Sequence, residues 1–207
     1  MLKVWGRNNS ANVQKAMWCV GELGLEFERV DVGGAFGGLD TPEYKAMNPN
    51  SRVPTVEDDG NILWESHSVI RYLALKYGKG TLCPDDLGER QKADRWMDWP
   101  HNGLNHHLRK LFFALVRDRE KVEPDMAALK SVIDEAVTDL PILDGHLASN
   151  DYVAGANFTM GDIPIGCIVN RWYSLPMDRP SHPAIEAWLE RIRARPAFRE
   201  HVLLETG

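Results

Sequence analysis

Residues 51–66, SRVPTVEDDGNILWES, carry two groups suited to gripping a small peptide-like ligand: Val53-Pro54-Thr55 at one end and Glu65-Ser66 at the other. Proline lacks the N–H that a central strand needs, so Pro54 belongs at the entrance of the strand that Thr55 and Val56 begin. A cis Val53-Pro54 bond accounts for its place, because cis X-Pro bonds are uncommon, about 5% of cases, and are typical of tight turns. Such a turn leaves the N–H and C=O of Val53 outside the sheet, where an extended peptide pairs with them as an added strand. Glu65-Ser66 opens a helix, and the first N–H groups of a helix attract a carboxylate. The simpler account of the same pair is structural: Ser66 caps its helix and Glu65 favours the helix dipole.

These groups need a scaffold. Glu57-Asp58-Asp59-Gly60-Asn61 reads as the polar turn of a hairpin whose second strand is Ile62-Leu63-Trp64. Val69, Ile70, Leu73 and Ala74 then recur at helical spacing, which predicts a helix over 66–77. Upstream, the pattern predicts a strand at 2–6, a helix at about 12–24 and a strand at 27–32, followed by a glycine-rich loop. In that helix Val13, Ala16, Met17, Val20 and Leu23 form an apolar stripe, and Gly24 stops it. The order is βαβ followed by ββα. After the turn-rich linker 80–87 only helical periodicity is evident, for example at Ala127, Leu129, Val132, Ile133, Ala136 and Leu140, and again at Ile185, Trp188, Leu189 and Ile192. The expected architecture is an α/β domain over 1–79, a linker over 80–87 and an all-helical domain over 88–207.

Composition narrows the partners. With 207 residues, 43% of them hydrophobic, the chain buries a real core. A net charge of −6, with no basic run, argues against a nucleic-acid surface. Cys19, Cys83 and Cys167 are three, far apart and without a CxxC, which supports neither a disulfide framework nor a zinc site and fits a reducing cytoplasm. No apolar run approaches membrane-spanning length, and the strand-like Leu2-Lys3-Val4-Trp5 directly follows Met1 without a signal-peptide pattern. His101, His106 and His107 lack the i, i+4 pair and the accompanying acid or cysteine of a metal site, so no metal is expected.

RVPT at 52–55, WES at 64–66 running into HSVIRYLA, and FTMGDIPIG at 158–166, in this order and context, resemble the cytosolic glutathione S-transferases over nearly the whole chain. The resemblance is to the bacterial, theta- and phi-like, serine-type members. It implies a thioredoxin-like domain followed by a helical bundle, usually as a homodimer, with glutathione as co-substrate and no other cofactor. It also implies that Val53, in the turn with Pro54, pairs through its backbone with the cysteinyl unit of glutathione, and that Glu65 and Ser66 hold the γ-glutamyl amino and carboxylate groups. Thr159 with Asp162 reads as a capping box, a folding device rather than chemistry.

The chemistry that the resemblance implies is activation of the glutathione thiol, since the thiolate is the nucleophile. A thiol of pKa about 8.5 is only slightly ionised at pH 7. One charge-assisted hydrogen bond, worth about 1.5 to 3 kcal/mol, suffices to bring that value near neutrality. Ser10, in the loop GRNNSAN at 6–12, matches the activating serine, and Asn12 is the second candidate; both residues also make good helix caps. The loop holds neither tyrosine nor cysteine, which counts against tyrosine-type classes and against covalent thiol chemistry.

Asp40 stands where phi-like relatives carry a basic residue for the glycyl carboxylate. Arg52 is the expected replacement, as a forked donor, with Arg7 behind it; a solvated loop charge is the plain alternative for Arg52. In the family the electrophile sits over the thiol, between the first loop and the helices after the linker. Trp99, His101, His106 and Phe113 are therefore the candidate walls, each with core packing as the simpler role. The expected function is attack of the glutathione thiolate on a small electrophile. Disulfide or peroxide reduction with glutathione, and a non-catalytic binding protein of the same fold, are the alternatives.

Overall fold

A computed structural model describes residues 1–101, 103–120 and 123–203 of the chain. They form two units: Met1–Asp85 joined by the segment from Ala194, and Asp86–Arg193. In the first unit β1 (Leu2–Trp5), α1 (Ala11–Glu22) and β2 (Phe27–Val30) make the βαβ half. β3 (Thr55–Asp58), β4 (Asn61–Trp64) and α3 (Ser66–Tyr77) make the ββα half. The sheet order is β2-β1-β3-β4, with β1 parallel to β2 and antiparallel to β3, and Val4 opposite Val56. This is the thioredoxin-like arrangement, and it makes β3, which follows Pro54, an interior strand.

α1 ends at Glu22 because Gly24 takes a left-handed φ of 61° and its N–H bonds back to Gly21 O at 3.1 Å. The hairpin turn Asp59-Gly60 has positive φ at both residues, 48° and 80°, the pattern that matches the strand twist. Asp58 at the end of β3 accepts hydrogen bonds from Lys76 Nζ at 2.7 Å and Tyr77 Oη at 2.9 Å, tying α3 to the hairpin.

Between the two halves lies α2 (Pro42–Met47), where sequence periodicity had placed only a loop. Thr41 caps it by accepting from Tyr44 N at 3.2 Å, Pro42 occupies its first turn and Glu43 follows.

The expected helical domain ran through to residue 207, but α9 (Pro196–His201) belongs to the first unit. The cause is packing against α1. Phe198 is fully buried with its ring edge-on to Trp18 at 4.6 Å. Arg195 forks onto Glu22 at 2.6 and 2.7 Å, and Trp18 Nε1 donates to the same carboxylate at 2.8 Å.

The second unit contains α4 (Leu87–Asp98), a 3₁₀ turn Trp99–His101, α5 (Leu104–Phe112) and a π-helical turn Phe113–Arg117. α6 (Met126–Leu147), α7 (Asp162–Ser174) and α8 (Pro183–Arg193) follow. Its described residues include no β-strand, only a single bridge between Tyr152 and Gly155. α8 buries Ile185, Trp188, Leu189 and Ile192, the stripe read from the sequence.

Asp162 does more than the expected capping box. One carboxylate oxygen accepts from Thr159 N at 2.9 Å, while the other accepts from Val153 N and Trp188 Nε1, each at 3.0 Å. Thr159 Oγ1 accepts from Gly161 N at 3.3 Å rather than from the N–H of Asp162, which bonds to Thr159 O at 3.0 Å. Burial pushes the Asp162 carboxyl up to about 6, against the pull of these donors. Among the described residues no helix is long and apolar enough to cross a membrane.

Candidate functional site

The Val53-Pro54 peptide is cis, as the position of Pro54 predicts. Both flanks of this turn are held by two buried side chains from α2 and its end, Tyr44 and Asn48. Tyr44 Oη donates to Arg52 O at 2.7 Å and lies 2.9 Å from Thr55 Oγ1. Asn48 Nδ2 donates to the same two oxygens at 2.9 and 3.0 Å. The residues on either side of Val53-Pro54 are thus pinned to one point. Among the described residues neither the N–H nor the C=O of Val53 enters a hydrogen bond with another backbone group, so its peptide edge is available to an added strand. Sequence reading missed Tyr44 and Asn48; the signal that existed was the Thr41-Pro42 helix start.

The loop after β1 lies beside this edge. A methyl group on Gly6 would collide with Val13 Cγ2 and lie 3.3 Å from Val53 Cβ, so the end of β1, the start of α1 and Val53 converge there. Ser10 is the N-cap residue of α1, with extended φ and ψ of −82° and 122°. Its C=O accepts from Gln14 N at 2.8 Å, yet its hydroxyl makes no capping hydrogen bond. The capping role open from sequence is therefore not taken by the side chain. Asn12 stands exposed in the first turn, and its Oδ1 accepts from Lys15 Nζ at 3.2 Å.

Glu65 is the N-cap residue of α3 and has a left-handed φ of 66°. A non-glycine residue in that conformation is strained and concentrates at ligand clamps. Ser66, for which capping was the simpler account, is not the cap but the buried first residue of the helix. Its neighbour His67 is also buried and lies 3.3 Å from Lys15 Nζ through Nε2, which ties the first turn of α3 to α1.

Arg7 crosses the glycine loop: a methyl on Gly33 would sit 3.2 Å from Arg7 Nη1 and 3.5 Å from Val53 Cγ1. The Arg52 side chain is exposed beside the turn. Asp40 pairs with Lys45 at 3.5 Å, both exposed, a pairing worth little in water. Cys19, Cys83 and Cys167 are buried, and burial raises the Cys19 thiol further from ionisation.

Two family models match the chain, the glutathione S-transferase N-terminal domain over residues 1–75 and the glutathione S-transferase C-terminal domain over residues 104–196. Glutathione S-transferase GstB of Escherichia coli (strain K12) is 35% identical over 206 residues, covering 99% of each chain. The chain belongs to the glutathione S-transferase family. Its fold agrees with that of the theta class glutathione S-transferase from Xanthomonas axonopodis pv. citri, solved with glutathione bound, at a TM-score of 0.94 and 42% identity, covering 100% of this chain and 99% of that one. The disulfide-bond oxidoreductase YfcG of Escherichia coli (strain K12) is 28% identical over 195 residues, 88% of this chain and 85% of that protein.

Ser10, Asn12, Arg52, Val53, Pro54, Glu65 and Ser66 of this glutathione transferase all fall in the segment matched by the N-terminal model. The expected wall residues lie in the second unit on successive helical segments, and their contacts are separate. Trp99 is edge-on to Trp96 at 5.2 Å, and His106 faces His107 at 5.6 Å. Phe113 lies under the guanidinium groups of Arg109 and Arg117 at 5.3 and 4.5 Å. The side chain of His101 lies outside the described residues.

Proposed function

We propose that this glutathione transferase binds glutathione along Val53 and uses Ser10 to hold the thiol as a thiolate for attack on a small electrophile. In this reading Val53 pairs with the cysteinyl unit, Glu65 and Ser66 take the γ-glutamyl end, and Arg52 takes the glycyl carboxylate. The single observation that carries it is the pinned turn with an unpaired Val53 edge, packed against the end of β1 and the start of α1, the helix whose N-cap Ser10 has a hydroxyl that caps nothing. The thiol proton leaves to solvent, and the Ser10 O–H donates to the sulfur that remains. Trp99, His101, His106 and Phe113 stay proposed as walls for the electrophile on the family resemblance alone. A homodimer, a cytoplasmic location and the lack of any cofactor besides glutathione belong to the same reading.

Disulfide reduction with glutathione is the second reading. Exposed Asn12 and the similarity to the oxidoreductase YfcG favour it. Calorimetric titration with glutathione, on the wild type and on Glu65→Ala/Ser66→Ala, tests the site. Binding is expected in the wild type and lost in the double variant; a wild type that does not bind sinks the proposal. Turnover of chlorodinitrobenzene against a mixed disulfide then separates conjugation from thiol exchange.

A further inference from the structure

Lys15 is 1% exposed, on a helix whose other buried positions include Val13, Ala16 and Met17. Burying an ammonium costs several kcal/mol unless its protons are satisfied, and an apolar side chain would fill the same space without that cost. Its Nζ makes two contacts that bear on the proposed site: Asn12 Oδ1 at 3.2 Å, and His67 Nε2 at 3.3 Å. An ammonium only donates, so both partner atoms must be acceptors. Asn12 therefore turns its oxygen to Lys15, which leaves its NH₂ on the opposite edge of the amide. His67 faces the ammonium with Nε2, which in this pairing is the acceptor.

We propose that Lys15 is a positioning residue, whose ammonium orients the Asn12 amide so that its NH₂ is a second donor to the glutathione thiolate. Through His67 the same ammonium braces the turn that carries Ser66. The inference rests on the reading of the site given above and deepens it: Ser10 supplies one hydrogen bond, and Asn12 supplies another only while Lys15 holds its oxygen.

The test uses the full chain, glutathione and chlorodinitrobenzene. In Lys15→Met, kcat should fall about tenfold and the pH at which the bound thiolate absorbs should rise by about one unit, the shift equivalent to that factor. Glutathione affinity should change less than kcat, and Lys15→Arg should recover most of the loss. Lys15→Met/Asn12→Ala should be no worse than Asn12→Ala, because one residue acts through the other. Asn12→Asp, at an exposed position, keeps a partner for Lys15 but offers no donor, so it should lose as much turnover as Asn12→Ala. Full activity in Asn12→Asp overturns the proposal even if Lys15→Met does not fold. So does a Lys15→Met protein with lower stability but unchanged kcat and thiolate titration, or a double variant whose losses multiply. Failure of the wild type to bind glutathione is a separate outcome that removes the functional reading itself.

Discussion

Trp188 on α8 donates its indole N–H to Asp162 at the start of α7 across 3.0 Å, so one buried carboxylate fixes two helices and, through Val153, the loop before them. Asp162→Ala leaves three buried N–H donors without their acceptor, each costing about 1 to 3 kcal/mol, and should lower stability by about 3 kcal/mol or more in urea unfolding. Glutathione affinity of the folded protein should stay near wild type.

The same carboxyl predicts an inverted pH dependence. Its folded value, about 6, stands above the ordinary 3.8, so the folded state binds the proton first as pH falls. The stability this adds is fully present below about pH 4 and lost as pH rises through about 6. The stability gap between wild type and Asp162→Ala, measured by denaturant unfolding, should widen as pH is lowered across that window.

Ser10→Ala removes the hydroxyl proposed to meet the thiolate. A charge-assisted hydrogen bond of about 1.5 to 3 kcal/mol corresponds to a fall in kcat/KM of about 10- to 100-fold. Retention of full activity in Ser10→Ala, with loss in Asn12→Ala, would show the amide to be the main donor.

Arg52→Ala should weaken glutathione binding about tenfold, in the range of a charge-assisted contact. The loss should vanish when the glycyl carboxylate is esterified. If Arg7→Ala gives that signature instead, the carboxylate lies against the glycine loop.

Tyr44→Phe tests the clamp on the Val53-Pro54 flanks. Asn48 still serves both oxygens that Tyr44 contacts, so stability should drop by only about 1 kcal/mol. Glutathione affinity should fall several-fold in calorimetry because the turn presenting Val53 loosens.

The sequence made β1, α1, the hairpin and α3 legible because each has a strong period or a clear turn, and the cis peptide followed from a proline entering an interior strand. α2 was missed because Pro42–Met47 spans too few residues for a helical period to register. Lys15 fell off the apolar stripe of α1, yet that helix is buried on several sides, by α3 and by α9, so Gln14 and Lys15 are covered as well. The simpler capping account of Ser66 fails by one residue, because the left-handed conformation of Glu65 that makes it the N-cap leaves no trace in residue type. The destination of α9 was invisible for a different reason: an amphipathic pattern names the face to be buried but not the surface that covers it.

The return of the segment from Ala194 to α1 has a consequence for how the protein is made. The ribosome delivers α1 early, but Trp18 and Glu22 meet Phe198 and Arg195 only after nearly all of the second unit has been synthesised. The amino-terminal half is therefore not a module that matures first and waits; its last brace arrives at the end of translation. A chain interrupted before that point would carry every residue proposed for the glutathione site on a scaffold still lacking one wall.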